Sequence, residues 1–246
     1  MTNKMQNKTI IIAGDSWACG EWTGCKISHP GLTKYLTDLG YLVINLGKPG
    51  GSNIYSADLV NDFLTVSTHL NISHVFVFQT EWIRDVELEN EENLVKDVAT
   101  GYSSLKMRLM NRFYYKLSRI SQQSKTPIHL IGGCSDTIWL DKFSQKYPGL
   151  SVCCQSLTNL LLTGNHRIED PVYAIMAEHS EKDIVYLKNN IDSKDLQLLL
   201  DDIDQGNQRL TTWNQHASFF WPDGVHANQT AHGILFEFLK MQIPDL

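Results

Sequence analysis

The sequence of 246 residues contains no apolar run near the roughly eighteen residues that a membrane-spanning helix needs. It also lacks a recognisable secretory leader, because polar residues 1–8 run straight into Thr9-Ile10-Ile11-Ile12-Ala13, too short for a leader's apolar region. Positive charge is scarce: 21 basic against 27 acidic residues leave a net charge of −6, which argues against a nucleic-acid surface. The one dense basic stretch, Lys106, Arg108, Arg112, Lys116 and Arg119, recurs at helical spacing and reads as a solvated helix face. Five cysteines cannot all pair within one chain, and Cys19, Cys25, Cys134, Cys153 and Cys154 fit no metal-ligand spacing. The expectation is a reduced, cytoplasmic protein with no membrane or nucleic-acid partner, no metal and no cofactor. The sequons at Asn7, Asn71 and Asn228 are then accidental. The first glycine turn lacks Gly-x-Gly-x-x-Gly, and Gly-x-x-x-x-Gly-Lys-Ser/Thr occurs nowhere, which counts against a nucleotide-binding domain. Repeats and low-complexity segments are missing too.

What is present is the composition of a folded chain, with 42% hydrophobic residues and a length that suits a single domain, 1–246. Residues 9–13 form a continuous β-branched run ending at Gly14, as a buried parallel strand does. Similar runs at 41–46, 74–78 and 128–131 close on Gly47-Lys48-Pro49-Gly50-Gly51, Gln79-Thr80-Glu81-Trp82 and Gly132-Gly133. Helical periodicity fills 31–39, 54–69 and 93–122 between them. Strands alternating with helices imply right-handed βαβ units. The fold class is therefore α/β, a three-layer sandwich around a mainly parallel sheet. Polar residues and glycines gather at the carboxyl ends of the strands, where such sheets build their sites. The stretch 134–222 is less regular; 155–163 and 194–204 read as helical, 170–190 as mixed, and a lid or insertion is expected within it. Residues 226–241 read as a final amphipathic helix entered through Pro222 and Asp223.

Two local patterns carry chemistry. Ala13-Gly14-Asp15-Ser16 follows the first strand, so Ser16 stands at a strand's carboxyl end with its hydroxyl exposed and its backbone N–H available to an oxyanion. Taken alone, the same residues read as a helix cap. Near the other end, Trp221-Pro222-Asp223-Gly224-Val225-His226 places a carboxylate and an imidazole three residues apart, on one side of a turn. A serine needs a base to become nucleophilic, and an imidazole oriented by a carboxylate supplies one.

Together the two patterns resemble the SGNH (GDSL-type) hydrolases, whose first block is Gly-Asp-Ser after strand one and whose last is Asp-x-x-His before the terminal helix. Asn45-Leu46-Gly47-Lys48-Pro49-Gly50 is similar to that family's second block, Asn-x-Gly-x-x-Gly. Trp17 stands where the GDSL name has leucine. The resemblance implies a flavodoxin-like fold and a serine esterase with Ser16 as nucleophile, His226 as base and Asp223 as its orienting carboxylate. Backbone N–H groups of Ser16 and Gly50 then hold the oxyanion, and the substrate is a short-chain ester, acetyl on a carbohydrate or similar small molecule.

The third block departs from the family's Gly-x-Asn-Asp: Glu81 occupies the asparagine's place, and an ionised carboxylate cannot donate to an oxyanion. Losing one such donor costs about 2.7–4 kcal/mol of transition-state stabilisation. Either Gln79 supplies the amide, as the Gln-Gly-Glu segment of sialate O-acetylesterase-like members implies, or Glu81 turns away to pair with a neighbour such as Arg84. Otherwise the chemistry is lost, and the alternative is a non-catalytic carbohydrate-binding protein on the same fold. Asp15, Asn53, Glu81 and Trp82 are the further candidates for substrate contact. Trp17, Trp22, Trp82 and Trp221 read as either a stacking floor or core packing. Cys19 reads as a buried thiol, and Glu87, Glu89, Glu91 and Glu92 as a solvated helix start. His29, His69, His129, His166, His179, His216 and His232 show no spacing that marks a ligand or base.

Overall fold

A computed structural model describes residues 8–88, 101–138, 142–176 and 181–246 of the chain. The expectations for Asn7, Glu89, Glu91, Glu92, His179 and the start of the 93–122 helix fall outside these residues.

The strands are β1 (Thr9–Ala13), β2 (Glu21–Thr23), β3 (Lys26–His29), β4 (Leu42–Asn45), β5 (Ile72–Gln79), β6 (Ile128–Gly132) and β7 (Leu150–Cys154). Among the described residues five of them form one sheet in the order β4-β1-β5-β6-β7, every pairing parallel. Counting sheet strands alone, the order is second, first, third, fourth, fifth, the flavodoxin-like winding. Winding reverses at β1, so the crevice at its carboxyl end is where a site belongs. β2 and β3 form a separate antiparallel hairpin.

The helices are α1 (Ser16–Cys19), α2 (Leu32–Asp38), α3 (Asn53–Val66), α4 (Tyr102–Ser124), α5 (Phe143–Lys146), α6 (Leu157–Thr163), α7 (Glu181–Asn190), α8 (Ser193–Gln215), α9 (Ala217–Phe220) and α10 (Gln229–Gln242). A 3-10 helix, Trp82–Leu88, follows β5. The period-two geometry of β1 divides its side chains between two cores. Ile11 and Ala13 pack with residues of α3 and α4, whereas Ile10 and Ile12 pack with residues of α2, α6 and α10. All five β1 side chains are buried, so a continuous β-branched run is what this position requires.

Three expectations change. The first part of 134–222 is framework rather than lid, because β7 pairs with β6 and completes the sheet. The terminal helix begins at Gln229, later than the pattern implied, because Asn228 caps it by accepting the Ala231 N–H at 3.0 Å. Residues 222–226 are thereby left as a turn. The basic stretch on α4 is partly ion-paired rather than simply solvated: Lys106 meets Asp202 at 2.8 Å and Lys116 meets Asp58 at 2.5 Å.

Candidate active site

β1 leads into Gly14 at φ 139°, and a Cβ there would stand 2.8 Å from both the Cβ and the carbonyl oxygen of Phe78. The residue must be glycine for the chain to turn this close to β5. Asp15 then caps α1, its Oδ1 accepting the Trp17 N–H at 3.0 Å. Its Oδ2 accepts the Thr80 hydroxyl at 2.6 Å and lies 3.4 Å from Arg84 Nη1. These bonds fix the tips of β1 and β5 together and leave Ser16 partly exposed at the first position of α1.

From the far end of the chain, Asp223 shapes its own turn. Its Oδ1 accepts the backbone N–H groups of Val225 and His226, each at 2.9 Å. Its Oδ2 lies 2.6 Å from His226 Nδ1, and His226 Nε2 lies 2.7 Å from Ser16 Oγ. A carboxylate on Nδ1 selects the tautomer protonated there, which leaves Nε2 as the acceptor for the serine proton. Burial works to raise the Asp223 pKa, but hydrogen bonds from the His226 ring and the two backbone N–H groups outweigh it and hold the pKa below its ordinary value.

A cavity of about 160 Å³ opens beside this chain of bonds, lined by Ser16, Trp22, Gly50, Arg84, Met176 and His226, among others. Gly50 holds φ 71° in a turn closed by the Gly51 N–H on the Lys48 carbonyl at 2.8 Å. That turn is tied to the first block by the Lys48 N–H on the Gly14 carbonyl at 2.9 Å. Trp22 reaches in from the β2–β3 hairpin, its ring 5.5 Å from that of His226 and its indole N–H donating to the Ser16 carbonyl at 2.9 Å. A larger depression of about 480 Å³ at the amino ends of the strands, bounded by residues such as Asn61, Thr68 and Lys125, carries no carboxylate or imidazole in its lining. Size alone does not choose the site.

Several candidates are placed elsewhere. Gln79 is fully buried, its amide donating to the Asp136 carbonyl at 2.5 Å and its Oε1 accepting the Tyr114 hydroxyl at 2.6 Å. Strand parity explains this: Val75 and Val77 face the α3–α4 core, and Gln79 continues their row, away from Ser16. Gln79 therefore does not complete the oxyanion hole. Glu81 turns away and pairs with Arg84, its Oε2 2.6 Å from both Nε and Nη2, while its Oε1 accepts the Met176 N–H. The other positions offered for substrate contact have structural partners instead. Asn53 bridges the backbone N–H and carbonyl of Thr80, at 3.0 and 3.1 Å. Trp82 is fully buried edge-on to Tyr102, and Asp15 spends its oxygens as described. Of the four tryptophans weighed, Trp17 and Trp22 line the cavity, Trp17 as a buried core residue that borders it; Trp221 is 63% exposed and lies outside it.

The thiols beside the site are inert. Burial first, and Asp15 second, push Cys19 up to about 11, and burial raises Cys134 well above its ordinary value. Arg84, Cys134 and Met176 are cavity residues that the sequence did not place there. Arg84 was legible as a partner for Glu81, because three residues make one 3-10 turn; Met176 arrives from the irregular stretch and had no signal.

No protein-family model matches this chain, and no curated protein matches its sequence. In three dimensions it is similar to the psychrotrophic esterase EstA from Pseudoalteromonas sp., at 12% identity and a TM-score of 0.44, over 96% of this chain and 97% of that one. It is similar to the lipase Lip_vut3 from a goat rumen metagenome, at 12% identity and a TM-score of 0.47, over 96% and 97%. A member of the lipolytic G-D-S-L family from Veillonella parvula matches at 13% identity and a TM-score of 0.38, over 97% and 100%. At these identities the likeness concerns the path of the chain. The chemistry must be read from Ser16, His226 and Asp223 themselves.

Proposed function

We propose that this protein is a serine ester hydrolase that transfers a short acyl group, acetyl foremost, from an alcohol to water. One observation carries the reading: the unbroken hydrogen-bond chain Ser16 Oγ, His226 Nε2, His226 Nδ1, Asp223 Oδ2, with links of 2.7 and 2.6 Å. Ser16 Oγ attacks the ester carbonyl as His226 Nε2 takes its proton, and Asp223 stabilises the imidazolium that forms. Backbone N–H groups of Ser16 and Gly50 receive the tetrahedral oxyanion. His226 then protonates the departing alkoxide, leaving an acyl-Ser16 ester. Water, deprotonated by the same imidazole, attacks that ester and returns Ser16 and the free acid.

The small size of the cavity beside Ser16, about 160 Å³, supports a short acyl group. A carbohydrate alcohol is the leaving group that the family resemblance implies. The carboxylate at position 81 motivates the non-catalytic alternative, and its pairing with Arg84 supports the hydrolase reading over it.

Purified protein should hydrolyse aryl acetate and butyrate but not aryl octanoate, and a fluorophosphonate probe should label Ser16 and fail on Ser16→Ala. Absence of both turnover and label overturns the proposal.

A further inference from the structure

We infer that Arg84 is the third oxyanion donor, held over the reacting carbonyl by the carboxylate that stands where an asparagine was expected. The inference rests on the Ser16 reading. Its starting point is a shortage: with Gln79 committed to Asp136 and Tyr114 and Glu81 able only to accept, neither of the expected side-chain donors serves the site. Among the residues that line the cavity, the only permanently charged donor is Arg84.

Three observations place it. First, the 3-10 geometry after β5 eclipses residues three apart, so Glu81 and Arg84 share a face; the Arg84 N–H also reaches the Glu81 carbonyl at 3.3 Å. Second, Glu81 and Asp15 grip the guanidinium from two sides, Glu81 Oε2 at 2.6 Å from Nε and Nη2 and Asp15 Oδ2 at 3.4 Å from Nη1. Asp15 is the neighbour of Ser16, so the arginine is anchored to the nucleophile's own turn. Third, Ser16, Gly50 and Arg84 line one small cavity of about 160 Å³. An oxyanion formed at Ser16 is thereby kept close to the guanidinium.

A guanidinium carries five N–H bonds, so donors remain after the three carboxylate contacts. The side chain is 9% exposed, and a donor fixed before the reaction pays no reorganisation when charge develops. Two carboxylates face one guanidinium, so the cluster holds no surplus positive charge to recruit a free anion. What it offers is N–H groups fixed beside the cavity that Ser16 lines. Arg84 moves no proton; it stabilises both tetrahedral intermediates and releases the carbonyl as each collapses.

The test uses an uncharged substrate, an aryl acetate, with three forms of the full chain: wild type, Arg84→Lys, and Glu81→Met combined with Arg84→Met. The double variant removes the guanidinium without stranding Glu81 as a buried unpaired charge, so it guards against simple unfolding. The expected result is a fall in kcat of about 100-fold in the double variant, with KM within about threefold and the melting temperature retained. Arg84→Lys, which keeps charge but loses the fork, should fall between. Values of kcat within about threefold of wild type in both variants overturn the inference and leave the Ser16 reading standing. A loss confined to KM, or seen with an aryl hemisuccinate but not with the acetate, also overturns it, because Arg84 then binds a substrate anion. A wild type that neither turns over ester nor takes the fluorophosphonate overturns the Ser16 reading and this inference with it.

Discussion

Both oxygens of Asp223 are committed to His226: Oδ1 accepts its backbone N–H at 2.9 Å, and Oδ2 meets its ring nitrogen at 2.6 Å. The same carboxylate therefore folds the turn and orients the His226 ring. Asp223→Asn keeps an acceptor for the backbone but presents an amide that can favour the wrong ring tautomer. Its kcat on an aryl acetate should fall by about 10³- to 10⁴-fold with little change in melting temperature. Asp223→Ala should match that loss and in addition lower the melting temperature, since the N–H groups of Val225 and His226 lose their partner.

Gln79 offers the opposite pattern. Its amide joins a strand end to the Asp136 carbonyl and the Tyr114 hydroxyl, all buried. Gln79→Leu strands both partners and should cost about 1–3 kcal/mol of stability by denaturant titration. The folded fraction should keep kcat within about threefold. A kcat loss of 100-fold without a stability loss would restore Gln79 to the oxyanion hole.

Gly14 is a purely steric constraint. Gly14→Ala combines a φ of 139° with contacts of 2.8 Å to Phe78 and 3.1 Å to Ala18 Cβ. The expected cost is about 1–3 kcal/mol or more, several degrees in melting temperature for a chain of this size. Activity should fall further than folding does, because the displaced turn carries Ser16.

Acid should destabilise this protein through its buried histidines, opposed in part by Asp85, whose pKa burial pushes up to about 6. His232 is fully buried, neither ring nitrogen has a partner among the described residues, and burial, with His29 and His226 adding, pushes its pKa down to about 3. Burial, and secondarily His74, push His129 down to about 4. Above the unfolded histidine pKa of about 6.5 both states are neutral and stability does not depend on these groups. As pH falls below that value the unfolded chain gains protons that the folded chain refuses, so stability declines towards about pH 4. Melting temperature should be level above about pH 7 and drop between about 6.5 and 4; His232→Leu should flatten the slope. An unchanged slope in that variant removes His232 from the account.

Legibility in the sequence followed how local each signal was. β1 was plain because five consecutive side chains must all be buried, which permits little besides β-branched and small residues. Ser16, Asp223 and His226 were plain because their chemistry demands particular residue types at fixed places beside a turn. β7, Leu-Ser-Val-Cys-Cys, was not, since its exposed Ser151 breaks the apolar run and its neighbours were read as part of an insertion. The β2–β3 hairpin, Glu-Trp-Thr and Lys-Ile-Ser-His, is mostly exposed and has no hydrophobic face to announce it. Gln79 was assigned to the wrong side because its facing depends on pairing register with β1 and β6, which no single segment contains. Arg84 entered as a charge partner alone, because lining a cavity depends on where the second block and the hairpin end up.

Ser16 and His226 are separated by 210 positions, and between them lies almost every element of the sheet. A growing polypeptide thus carries the Ser16 hydroxyl without its imidazole partner until the segment around His226 has been made and docks. Losing the segment from His226 onward should remove the proposed base together with the helix that covers Ile10 and Ile12, so the imidazole and part of the core would go at one stroke.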